Sequence, residues 1–142
     1  MTAITQRAKH FVAVRNERKE TINAMVGMEL AEVQEEQKKI ILTFPIDTWE
    51  LNPDEHTHGG ILAAMLDIAM GCAAYSFSKA VFAPTIQMAV NFVRSTHADD
   101  VLRIEAICDH AGSRMAMVRA LAYDQQGNVV ASSNGSYAIN IK

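Results

Sequence analysis

Between Asn52 and Asp67 the chain gathers residue types that can act on a carbonyl: Asn52-Pro53-Asp54-Glu55-His56-Thr57-His58-Gly59-Gly60, then an apolar run broken by Asp67. A glycine pair at the start of a helix leaves backbone N–H groups without intrahelical acceptors and lets a ligand approach closely. Donors of that kind, aligned with the positive end of the helix dipole, stabilise an anion or a developing oxyanion. A tight turn alone would also use Gly59-Gly60, so the pair gains meaning only in combination with Asp67. Asp67 is the only charged residue between His58 and Lys79. A carboxylate on a buried helix must be paired, protonated or open to a wet site. A purely structural partner for Asp67 is an equally good reading on burial alone.

Helix geometry adds a constraint. Gly60 and Asp67 lie two turns apart, on one face and roughly 10 Å from each other along the axis. An aspartate side chain does not span that distance. If both serve one substrate, the carboxylate comes from a second copy of the chain, and a symmetric dimer holds two sites. His56-Thr57-His58 suggests a metal pair, with Asp54, Glu55 or His110 as a third ligand. A closed zinc site needs a fuller set at recognised spacing, so no metal is expected. His10 and His97 have no evident partner and are expected in solvent.

The elements that must position these residues are legible from periodicity. Ile4, Ala8, Phe11 and Val12 predict an amphipathic helix over 3–19, and residues 59–78 a helix apolar on nearly every side, which other elements must enclose. Strands are predicted at 28–35, 39–45, 85–94, 101–109, 114–123 and 129–141, with a loop over 49–58. In the fourth of these, Leu102, Ile104, Ala106 and Cys108 form the apolar face. One buried helix with five or six mostly antiparallel strands is an α+β domain, a sheet curled around the helix. No linker or repeat divides the chain, so 1–142 reads as one domain.

Composition narrows the function classes. Hydrophobic residues make up 49% and charged residues 20%, as in ordinary globular chains, and the net charge of −3 supplies no basic surface for nucleic acid. Cys72 and Cys108 sit in apolar runs and read as buried thiols of a reducing compartment. Met1–Arg18 lacks the apolar core of a secretory signal, so a cytoplasmic protein is expected. The run 59–78 is not read as a membrane span, because a central aspartate opposes insertion by about 2.5–3.5 kcal/mol.

Asn52, His58-Gly59-Gly60 and Asp67, followed by Pro84-Thr85-Ile86-Gln87-Met88 and Asn91-Phe92-Val93-Arg94, resemble the hotdog-fold acyl-CoA thioesterases of the PaaI (phenylacetic acid degradation) type. Gly112-Ser113-Arg114 and Gly127-Asn128-Val129-Val130-Ala131 extend the likeness, which runs from about Met28 onward. Asp54-Glu55-His56 is a departure, since loops of the family often carry a glycine there.

The resemblance implies hydrolysis of an acyl- or aryl-CoA thioester by a homodimer or homotetramer. No cofactor is implied beyond the CoA of the substrate. It implies that Gly59 or Gly60 polarises the carbonyl, that Asp67 of the partner activates water or attacks directly, and that Asn52, His58 and Thr85 shape the site. Arg94 and Arg114 are the cations it sets nearest the CoA groove. Met65 and Met88, core residues by default, could line an adaptable acyl pocket. Two other readings use the same residues: a hydratase or dehydratase with His58 and Asp67 as its proton shuttle, and a non-catalytic acyl-CoA-binding dimer.

Overall fold

The computed structural model describes Met1–Lys142. Its elements are α1 (Ala3–Glu17), α2 (Ile22–Met25), β1 (Glu29–Gln34), β2 (Lys39–Pro45), a 3-10 turn (Thr48–Glu50), α3 (Gly59–Ser76), β3 (Thr85–Phe92), β4 (Val101–Ala111), β5 (Met115–Tyr123) and β6 (Val129–Ala138). All six strands join one antiparallel sheet in the order β1-β2-β4-β5-β6-β3. The architecture is the α+β one expected, a six-stranded sheet with α3 at its centre. Only α2 and the 3-10 turn escape the periodicity argument. Each is a single short turn, below the length at which a helical repeat shows in a sequence.

Alternation explains how the sheet receives the helix. Leu102, Ile104, Ala106 and Cys108 of β4 and Ala116, Val118, Ala120 and Ala122 of β5 point inward and are buried. So many alanines on one sheet face let α3 approach closely, and its large side chains Met65, Leu66 and Met70 fill the space between, with no exposed surface. Core packing is therefore the role of Met65, whereas Met88 is only partly buried. Helix α3 is long and apolar enough to cross a membrane, but much of it is buried by the sheet and α1. Helix α1 closes the other side through Ala8, Phe11 and Val12, and Arg7 donates to the carbonyls of Tyr75 and Ala80 at the α3 C-terminus.

Strand β3 carries Ile86, Met88, Val90 and Phe92 at period two, yet Ile86 and Phe92 are 55% and 56% exposed. It is an edge strand, and its register against β6 shifts between Thr85 and Gln87. Flanking Val81, Phe82 and Val93 are exposed as well, so this edge carries five of the large apolar side chains that the chain leaves uncovered.

Candidate active site

Asp67 stands half-buried on α3, facing the β3–β6 edge of the sheet. Its Oδ1 accepts from two hydroxyls, Thr85 Oγ1 at 2.6 Å and Tyr137 Oη at 2.8 Å. The Tyr137 hydroxyl also lies 3.1 Å from the Asp67 carbonyl oxygen, so one donor ties the side chain to its own backbone. Thr85 and Tyr137 are direct partners across the β3–β6 ladder, which is how they converge on one oxygen. Oδ2 takes no hydrogen bond from the chain. The carboxylate is thus fixed through one oxygen and presents the other to whatever enters.

Tyr137 is the residue that reading the sequence missed. Its ring is buried between β6 and α3, where Gly135 and Gly71 make room: a Cβ on Gly135 would lie 3.1 Å from Tyr137 Cε1. Burial and the neighbouring Asp67 both push its hydroxyl well above the usual tyrosine range, so it remains a proton donor. A signal existed in the alternation of β6, which turns Ser133, Gly135 and Tyr137 toward the helix. A buried phenol needs an acceptor, and Asp67 is the one charged acceptor on α3.

At the N-terminus of α3 the two glycines are used differently. His58 is its N-cap, and its Nδ1 accepts the Gly60 N–H at 2.9 Å. That N–H is therefore engaged within the protein, and the donor free to face a ligand is the N–H of Gly59, for which the chain supplies no acceptor. Gly60 has a separate purpose. A Cβ there would sit 3.1 Å from both Cε1 and Nδ1 of the His58 ring, so glycine permits the cap.

The His58 N–H donates to the Glu50 carbonyl at 2.8 Å. Glu50 is only 1% exposed; its Oε1 accepts the Asp47 N–H at 2.7 Å, and its Oε2 is buried without a partner. Burial pushes this carboxyl above the usual range, against the lowering effect of the Asp47 N–H. Asn52 likewise serves the loop, its Oδ1 accepting from the N–H groups of Asp54 and His56 at 3.0 and 3.1 Å. Only its amide NH2 remains for a ligand.

Within one chain these groups do not form one site. Asp67, Thr85 and Tyr137 line a cavity of about 180 Å³ with Arg15 and Asn23 of the N-terminal segment. Asn52 and Gly59 line another of about 300 Å³, with Arg94, Phe92 and Thr96. Strand β3 links the two, beginning at Thr85 beside Asp67 and ending at Phe92, whose ring would lie 3.4 Å from a Cβ on Gly59. Arg94 thus stands at the glycine half. Arg114 is exposed near the start of β5, where its carbonyl accepts the Ile139 N–H, and it lines neither cavity.

No three His, Cys, Asp or Glu side chains converge as metal ligands do. His97 is exposed but not without neighbours: its ring meets His56 edge-on at 5.0 Å, and Nδ1 lies 3.8 Å from Asp100 Oδ2. Both cysteines are buried, and desolvation pushes the Cys72 thiol up to about 12 despite the Ser76 hydroxyl.

The thioesterase superfamily model matches residues 54–131. A Pseudomonas aeruginosa protein that carries the name "Putative esterase" is 27% identical over 106 residues, 73% of this chain and 78% of its own. Among solved structures, a thioesterase-superfamily protein at 29% identity superposes with a TM-score of 0.82 over 98% of this chain and 100% of its own. The Escherichia coli PaaI protein of the phenylacetic acid degradation operon also reaches 0.82, at 20% identity over 96% and 95%. A Streptococcus mutans protein solved with acetyl-CoA reaches 0.73, at 22% identity over 80% and 89%. The last two likenesses speak for the hotdog fold.

Proposed function

The chain belongs to the thioesterase superfamily, and from that premise we propose that it hydrolyses an acyl-CoA thioester to the free acid and CoA. The observation that carries the reading is Asp67, a carboxylate anchored through Oδ1 by Thr85 and Tyr137 and free at Oδ2. A binding module gains little from a positioned, open carboxylate in a small cavity; a hydrolase needs one. The acetyl-CoA seen on a relative of the same fold supports the choice of thioester.

The active site assembles from two copies. Strand β3 is an edge with an unpaired backbone row and exposed apolar side chains, a surface that another strand can complete. Antiparallel pairing of β3 with the same strand of a partner, centred between Met88 and Ala89, sets Thr85 opposite the partner subunit's Phe92. Each Asp67 cavity then meets a Gly59 cavity, and the separation of the two residues along α3 supports this arrangement. The free Gly59 N–H, at the positive end of the helix, receives the thioester oxygen as it gains charge. If Asp67 Oδ2 takes a proton from water, the water oxygen adds to the carbonyl, the C–S bond breaks and that proton passes to the CoA sulfur. If Oδ2 adds to the carbonyl itself, C–S cleavage leaves a mixed anhydride and a CoA thiolate that solvent protonates. Water then hydrolyses the anhydride to the free acid and restores the carboxylate. Arg94 and the Asn52 amide lie on the glycine side, where the CoA arm enters. Release of free thiol from acyl-CoA tests the reading; conversion of a 3-hydroxyacyl-CoA to the enoyl-CoA with loss of water, and no free thiol, would establish a hydratase or dehydratase instead.

A further inference from the structure

The Asp67 cavity holds a second charged group that this chemistry does not use. Arg15, in the last turn of α1, lines the cavity with Asn23, while Ile22, Ala64, Ile68 and Pro84 give it apolar walls. The guanidinium lies 3.4 Å over the Phe11 ring and donates to the Phe11 carbonyl at 3.3 Å, which leaves most of its N–H donors free. It takes part in none of the chain's salt bridges. Burial pulls it below the usual arginine value, only partly offset by Cys72 and Tyr75. A half-buried guanidinium without an ion-pair partner, seated over an aromatic ring, is poised to receive an anion.

Its depth in the cavity indicates which anion. Phe11, on which Arg15 rests, reaches α3 at Gly71, where a Cβ would be 3.9 Å from Phe11 Cζ. Gly71 is one turn, roughly 6 Å, beyond Asp67 along the helix, and the ring that carries the cation packs there. The phosphates of CoA, at the far end of the pantetheine arm, do not come that near the thioester. The distal end of a short acyl group does. Resting on the thioesterase reading above, we propose that Arg15 selects acyl groups that end in a carboxylate, which makes the substrates CoA thioesters of short dicarboxylic acids.

The test compares S-hexyl-CoA, a thioether that cannot be hydrolysed, with its ω-carboxylated counterpart. Affinities are measured by calorimetry on wild type and Arg15→Gln, alongside kcat/KM for hexanoyl-CoA and adipyl-CoA. Wild type is expected to favour the carboxylated member of each pair about tenfold or more, the effect of a charge-assisted contact. Arg15→Gln is expected to lose that preference with unchanged affinity for S-hexyl-CoA. Equal weakening of both thioethers in the variant would overturn the proposal by marking a CoA contact or a structural role, and a wild-type preference for the neutral ligand would overturn it outright. Because the thioethers need no turnover, an Arg15-dependent preference without hydrolysis upholds the anion site and removes the thioesterase reading. Hydrolysis without that preference does the reverse.

Discussion

The Tyr137 hydroxyl lies 2.8 Å from Asp67 Oδ1 and 3.1 Å from the Asp67 carbonyl oxygen, so the carboxylate at the centre of the site is held from a strand on the opposite layer. Tyr137 is a positioning residue, and its removal should show in turnover more than in binding. Tyr137→Phe is expected to lower kcat about tenfold, the loss of about 1.4 kcal/mol from the transition state, with KM nearly unchanged. Thr85→Val should act through the same oxygen, so the double variant falls short of the product of the two effects. Steady-state kinetics on the three variants checks this; full additivity would separate the two residues.

His58 works first as a cap. His58→Ala should lower unfolding stability by about 1 kcal/mol, whereas His58→Asn, whose side chain can accept the same N–H, should recover most of it. Urea denaturation of the two variants gives the answer. Equal stability of alanine and asparagine variants would mean that the Gly60 contact contributes nothing.

Glu50 predicts a pH dependence. Its carboxyl is raised in the folded state, so it favours folding when protonated, and that contribution is lost as pH rises through the raised folded value. Glu50→Gln keeps an acceptor for the Asp47 N–H and removes the buried charge. It should stabilise the protein by about 1 kcal/mol or more at neutral pH, with a gain that shrinks as the pH drops into the carboxylate range. Melting curves of both proteins across that range test the sign.

Much of the fold and half of the site were legible in the sequence, for physical reasons. Strands β4 and β5 alternate cleanly because one face meets α3, and α3 reads as apolar all round because α1 and the sheet enclose it. Asp67 stands out as a charge in an apolar run, and the helical rise alone separates it from Gly60. What escaped depends on contacts between distant segments. Tyr137 looks like any inward strand residue until the β3–β6 register brings it beside Thr85. Arg15 looks like a surface cation until α1 packs beside Gly71. The engagement of the Gly60 N–H by His58 is a rotamer choice that no spacing encodes.

A composite site predicts complementation. Asp67→Asn and Gly59→Val each remove one half, so each homodimer should be inactive. Unfolding and refolding an equal mixture should return about 25% of wild-type activity, because half of the dimers carry one intact site of two. No activity from well-folded mixed dimers would place both halves of each site in one chain.

The most direct measurement is free-thiol release from aliphatic, aryl and ω-carboxylated acyl-CoAs by wild type and by Asp67→Asn, with circular dichroism to verify folding. Hydrolysis by the wild type, reduced by about 1,000-fold or more in a folded Asp67→Asn, is the result expected when the carboxylate that acts as base or nucleophile is removed. Undiminished hydrolysis by Asp67→Asn, or none by the wild type on any of these thioesters, would contradict the role assigned to Asp67.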